Sequence, residues 1–114
     1  MDISVARCYP MKNRYPDILP YDQTRVPLPC TKDEYINASF VRDISPSSIP
    51  FVATQAPLPV TFSDFWHMVW YHQVELIASL INDAEVRLTA LMFITFFLRH
   101  LLFGPMLIKT EYVL

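Results

Sequence analysis

The sequence predicts a layered fold of the α/β or α+β class, and three observations predict it. Residues 34–41 alternate in polarity, and FVATQ at 51–55 reads as a second strand spaced to pair with them. An amphipathic stretch beginning near Thr61 reads as a helix, and an apolar run at 74–81 follows it. Strand, helix, strand in this order calls for a sheet with a helix packed on it. The chain has 114 residues, 53% hydrophobic and 18% charged, a composition that suits one folded domain and excludes intrinsic disorder.

Along the chain, Pro16, Pro20, Pro27 and Pro29 exclude a long helix over residues 12–30. A structured loop is expected there, with a short extended piece at 24–28. In residues 34–41, EYINASFV, alternation places Ile36, Ala38 and Phe40 on one face. Tyr35, Asn37, Ser39 and Val41 fall on the other. Residues 43–50, DISPSSIP, read as a loop, and FVATQ at 51–55 as the second strand of the pair. Thr61 is the expected helix cap, its hydroxyl accepting a first-turn N–H, with Asp64 at the positive helix end. Phe62, Phe65, Trp66, Val69 and Trp70 make one apolar stripe, which predicts Trp66 and Trp70 as core residues. The run VELIASLI at 74–81 reads as a strand buried on both faces, with neighbours on both sides.

Composition shifts near Val86. Residues 1–86 hold most of the charge and turn signals, whereas 87–114 form a divergent apolar tail. Three readings of the tail stay open: an altered C-terminus, a membrane anchor, or a core helix plus strand. Arg99 and His100 in mid-span and the Gly104-Pro105 break weigh against the anchor. Net charge is −2 with no basic block, so nucleic acid is not expected as a partner. With one glycine, Gly104, phosphate-cradling and dinucleotide-binding loops are excluded. Cys8 and Cys30 form no CxxC, and His67 and His72 stand five apart, off a common helical face. No metal site or cofactor is therefore expected, and His100 adds none. The N-terminal MDISVARCYP lacks an apolar core, and few cysteines suit a reducing, cytoplasmic setting. Cys8 and Arg14 have C-x5-R spacing, but Pro10 has no N–H to turn toward a phosphate and no glycine relieves the turn. No catalytic residue is assigned.

Three segments then carry a resemblance. KNRYPDILPYDQTRVPL at 12–28, EYINASFV at 34–41 and FVATQAPLPVTFSDFWHMVW at 51–70 occur in a distinctive order and spacing. They resemble the recognition loop, the D-Y-I-N-A-S strand and the T-Q-G-P…D-F-W segment of the phosphotyrosine-specific protein phosphatases. DISPSSIPFVATQAPLP and the later NDAEV are most similar to the Bro1-domain-containing non-receptor branch, whose parent setting is cytoplasmic or endosomal. The resemblance covers roughly residues 12–85 and implies the N-terminal part of that family's mixed, twisted sheet with packed helices, here truncated.

It also implies roles. Tyr15 would wall a slot and pack on the phosphotyrosine ring, and Asp17 would accept N–H bonds from the substrate backbone. Asn13 and Arg14 belong to the same substrate-binding motif. Asn37 and Gln55 are expected to make structural hydrogen bonds, and Ala56 stands where the family has glycine. The implied partner is a phosphotyrosine-containing protein or peptide. The intact family works through a cysteinyl-phosphate, using H-C-x5-R and W-P-D motifs, and neither occurs here. The expectation is a fragment inactive alone and prone to self-association through unpaired strand edges. The alternatives are a non-catalytic phosphopeptide-binding module and a membrane-associated fragment.

Overall fold

The computed structural model describes residues 1–29, 31–47, 50–79 and 92–97. A short helix α1 (Ser4–Arg7) and a 3₁₀ turn (Pro10–Lys12) lead into the proline-rich loop. Strands β1 (Ala38–Val41) and β2 (Phe51–Gln55) follow, then a 3₁₀ turn (Pro59–Thr61) and helix α2 (Phe62–Tyr71). Strands β3 (Val74–Ser79) and β4 (Met92–Phe97) complete a four-stranded sheet of order β1-β2-β4-β3. The expected α/β class is borne out, and the three described strand pairings are antiparallel.

The hairpin forms as expected, with Ala38 opposite Thr54 and Val41 opposite Phe51. The extended piece expected at 24–28 lies along the outer edge of β1. Val26 N–H donates to the Ala38 carbonyl at 2.9 Å and Phe40 N–H to the Thr24 carbonyl at 2.8 Å. This pairing covers backbone groups that would otherwise form an open edge. Between loop, sheet and helix sits one apolar core that includes Val26, Leu28, Ile36, Val52, Met68 and Ile77.

Four expectations are corrected. The strand expected from residue 34 begins at Ala38: Glu34 takes a left-handed φ of 53°, and the Ala38 N–H turns back to the Ile36 carbonyl at 2.9 Å, a tight turn just before the strand. Tyr35, Ile36, Asn37 and Ala38 are buried in succession, so alternation fails where the loop covers the second face. The Thr61 hydroxyl does not cap α2. It accepts Leu58 N–H at 2.8 Å and donates to the Leu58 carbonyl at 3.2 Å, closing the preceding 3₁₀ turn. Trp66 and Trp70 are not core: Trp70 is 84% exposed and Trp66 46%. The buried face is Phe65, Met68 and Val69, at i, i+3 and i+4. Finally, β3 pairs with β4 on one side and lies at the end of the sheet among the described residues.

Strand β4 falls within the 87–114 tail. Cys30, Ile81, Arg99, His100, Gly104 and Pro105 lie outside the described residues. Among the described residues, no helix is long and apolar enough to cross a membrane, and no group of three His, Cys, Asp or Glu side chains gathers to hold a metal.

Candidate functional site

The loop at residues 12–18 is tied to the sheet by polar side chains from three directions. Gln55, at the end of β2 and buried, uses both ends of its amide. Nε2 donates to the Lys12 carbonyl at 2.8 Å, and Oε1 accepts the Arg14 N–H at 2.9 Å. The amide thus takes the place of a strand neighbour for two backbone groups that would otherwise be left without partners. Arg14 returns the contact: Nε donates to the Ala56 carbonyl and a terminal nitrogen to the Pro57 carbonyl, both at 2.9 Å. Ala56 is not among the described residues with positive φ, so alanine fits where the resemblance has glycine.

From β1's entry, Asn37 donates to the Ile18 carbonyl at 2.9 Å and to Asn13 Oδ1 at 3.2 Å. Asn13 Oδ1 also accepts the Tyr35 hydroxyl, while its own Nδ2 donates to the Ala6 and Tyr9 carbonyls at 3.0 and 3.2 Å. Tyr35 stacks on Tyr9 with centroids 5.2 Å apart. Burial pushes the Tyr35 hydroxyl strongly upward in pKa, against the opposing bond to Asn13 and the charge of Arg25, so it stays a protonated donor.

The third tie is ionic. Lys12 Nζ lies 3.0 Å from both Asp33 and Asp64 carboxylates. Burial pulls its pKa down most strongly of any single influence, but the two carboxylates together outweigh it and raise the pKa above the ordinary 10.5. The sequence marked Asp64 only as a dipole partner of α2. Its ion pair with a residue 52 positions away is a tertiary contact that no local pattern carries.

These ties separate the four expected substrate-binding residues. Asn13 and Arg14 point their polar groups into the molecule and hold the loop. Tyr15 is half-buried and Asp17 exposed at the stretch between the anchors. Asn37 and Gln55 make the structural hydrogen bonds expected of them. Cys8, exposed, donates its thiol to the Ser4 carbonyl at 3.3 Å, while the Arg14 guanidinium is held at Ala56 and Pro57. Their C-x5-R spacing therefore forms no common site. His67 and His72 each contact a loop carbonyl through Nε2, Pro29 at 3.0 Å and Pro27 at 3.3 Å, and fasten that loop to α2.

A family model described as protein-tyrosine phosphatase matches residues 9–96. The chain is 52% identical over 84 residues to tyrosine-protein phosphatase non-receptor type 23 of Rattus norvegicus, covering 74% of this chain and 6% of that protein. It is 54% identical over 84 residues to the Homo sapiens protein of the same name, covering 74% and 5%. It is 48% identical over 77 residues to tyrosine-protein phosphatase non-receptor type 13 of Mus musculus, covering 65% and 3%. The chain thus spans only a small part of the length of these relatives. With the matched segment running from Tyr9 through the proline-rich loop, hairpin and α2 into β4, the chain belongs to the protein-tyrosine phosphatase family.

Proposed function

We propose that this chain is a phosphotyrosine-recognition portion of a protein tyrosine phosphatase domain, inactive as a catalyst by itself. The observation that supports this best is the anchoring of the 12–18 loop. Gln55, Asn37, Asn13 and Arg14 fix its backbone, so that Tyr15 and Asp17 stand at a rigid position on the surface. An ordered loop loses little entropy on binding, which is what a recognition element requires. Tyr15 packs its ring on the phosphotyrosine ring, and Asp17 accepts peptide N–H groups. Asn13 and Arg14 act by holding the loop in place.

Hydrolysis in this family needs a thiolate that attacks phosphorus in line, an arginine on the phosphoryl oxygens and an acid for the leaving phenol. The sequence holds no H-C-x5-R or W-P-D segment. Binding is accordingly weak, because the anion-binding loop that supplies much of the affinity is missing. The setting is cytoplasmic, and the exposed apolar residues of α2 favour self-association.

The test pairs binding with turnover. Titration with a phosphotyrosine peptide and its unphosphorylated twin should show preference for the former, lowered by about 1–3 kcal/mol in Tyr15→Ala. Asp17→Ala should lose about 1–2 kcal/mol. An aryl phosphate should not be hydrolysed. Equal affinity for the two peptides would overturn the recognition role, and turnover that disappears in Cys8→Ser would overturn the inactivity.

A further inference from the structure

The loop joining β1 to β2 carries a signal that phosphotyrosine recognition does not use. Residues 42–47 read Arg-Asp-Ile-Ser-Pro-Ser, and all six are exposed. The ring of Pro46 disfavours helical backbone at Ser45 and biases it toward an extended conformation. Pro46 also has no N–H. A kinase groove that offers no acceptor opposite the residue after the serine accepts this pair, whereas any other residue there would leave an N–H stranded.

We propose that Ser45 is a phosphorylation site for a proline-directed serine/threonine protein kinase, and that Arg42 receives the phosphate. In the reaction, Ser45 Oγ forms a bond to the γ-phosphorus of a nucleoside triphosphate. The bond from that phosphorus to the β,γ-bridging oxygen breaks, the nucleoside diphosphate leaves, and the hydroxyl proton passes to a base of the kinase.

The local geometry says what the new charge does. The Arg42 guanidinium lies 4.0 Å from the Phe40 ring centroid, and Phe40 meets His72 edge-on at 5.4 Å. A phosphoserine carries close to two negative charges and three acceptor oxygens, a stronger partner for guanidinium than an aromatic face. Asp43 lies between the two in sequence and repels the phosphate, so the pairing depends on the reach of the long Arg42 side chain. Arg42 is one of the charges that hold the His72 pKa below its ordinary value, so its neutralisation is visible at His72. The loop lies at the Val41–Phe51 end of the hairpin, opposite the Asn37 and Gln55 end that anchors residues 12–18. Phosphopeptide binding there is left unchanged, so this inference stands or falls separately from the recognition role.

The experiment incubates the full chain with ATP and a purified proline-directed kinase and maps the phosphate by peptide mass. Modification at Ser45 is expected, absent in Ser45→Ala and slower by at least about tenfold in Pro46→Ala. No phosphate on Ser45, or an equal rate in Pro46→Ala, would overturn the site. NMR titration of His72 then tests the receiver. Phosphorylation should raise the His72 midpoint in the unmodified sequence and leave it unmoved in Arg42→Ala. That shift requires the folded hairpin, so modification of an unfolded chain would not produce it. A midpoint that does not move on phosphorylation would overturn the role of Arg42.

Discussion

Gln55 Oε1 accepts the Arg14 N–H at 2.9 Å, and the Arg14 guanidinium turns back to the carbonyl of Ala56, the residue after Gln55, at 2.9 Å. Each residue thus fixes the other's backbone, and the end of β2 and the 12–18 loop become one unit. Gln55→Ala leaves the Arg14 N–H and the Lys12 carbonyl without this partner. The expected loss is about 2–3 kcal/mol of unfolding free energy, with faster hydrogen exchange at Arg14 than in the parent chain. Gln55→Glu keeps an acceptor for the Arg14 N–H but turns an oxygen onto the Lys12 carbonyl in a buried site, so it should lose at least as much as Gln55→Ala. A Gln55→Ala chain with unaltered exchange at Arg14 would refute the grip.

Lys12 couples the loop to α2 through Asp64 and to the 31–33 turn through Asp33. All three side chains are at least 70% buried, which places the contact between the weak surface pair and the buried one. Lys12→Met should cost about 1–3 kcal/mol. The folded pKa lies above 10.5, so the folded state binds the proton more tightly. The stabilisation is therefore complete below 10.5 and declines as pH rises through the folded value. Urea unfolding in alkaline buffers should show a steeper decline in the parent chain than in Lys12→Met, which keeps the fall that the raised Tyr35 pKa contributes.

His72 gives the opposite slope at acid pH. Burial is the main cause of its lowered pKa; the charges of Arg42 and His67 act in the same direction, and the Pro27 carbonyl opposes them. Between the folded value and 6.5 the unfolded chain binds more protons, so stability rises with pH through that window and levels off above it. His72→Gln should flatten the dependence. Unfolding midpoints for both chains between about pH 5 and 8 check it.

Gln73 follows α2 with φ 55°, its N–H donating to the Trp70 carbonyl at 3.2 Å. That left-handed position after a helix is one glycine occupies without steric cost, and this chain has almost no glycine to spend there. Gln73→Gly should stabilise by up to about 1 kcal/mol. Gln73→Val, branched at Cβ, should destabilise by more than about 1 kcal/mol. Denaturant midpoints of the three chains should follow that order.

Much of this architecture was legible locally. The hairpin, α2 and the run after it follow from alternation, helical spacing and apolar length, and the motif order pointed to the family. What escaped was set by contacts distant in sequence. Tyr35 and Asn37 are buried because the loop lies over them, which no alternation within 34–41 can encode. On α2, Phe62, Trp66 and Trp70 are large and mark one stripe, yet Met68 decides which side faces the sheet. In the 12–18 loop, Asn13 and Arg14 turn inward because their partners at Tyr35, Ala56 and Pro57 come from other segments.

The outward stripe has a consequence for association. Phe62, Trp66 and Trp70 stand at i, i+4 and i+8 on α2, with Phe62 51% and Trp70 84% exposed. Aromatic side chains of this size bury on the order of 150–250 Å² each, and at roughly 25 cal/mol per Å² a shared contact between chains is worth several kcal/mol. Trp66 is a poor probe because its ring meets core residue Phe65 edge-on at 5.3 Å. Trp70 is the better one. Trp70→Glu should lower self-association across a concentration series in sedimentation velocity, with the unfolding midpoint held within about 0.5 kcal/mol. Met68→Ala should do the reverse, costing about 2–5 kcal/mol of stability by opening a cavity under the helix. A Trp70→Glu chain that unfolds, or one that associates as strongly as the parent, would remove the outward stripe as the cause.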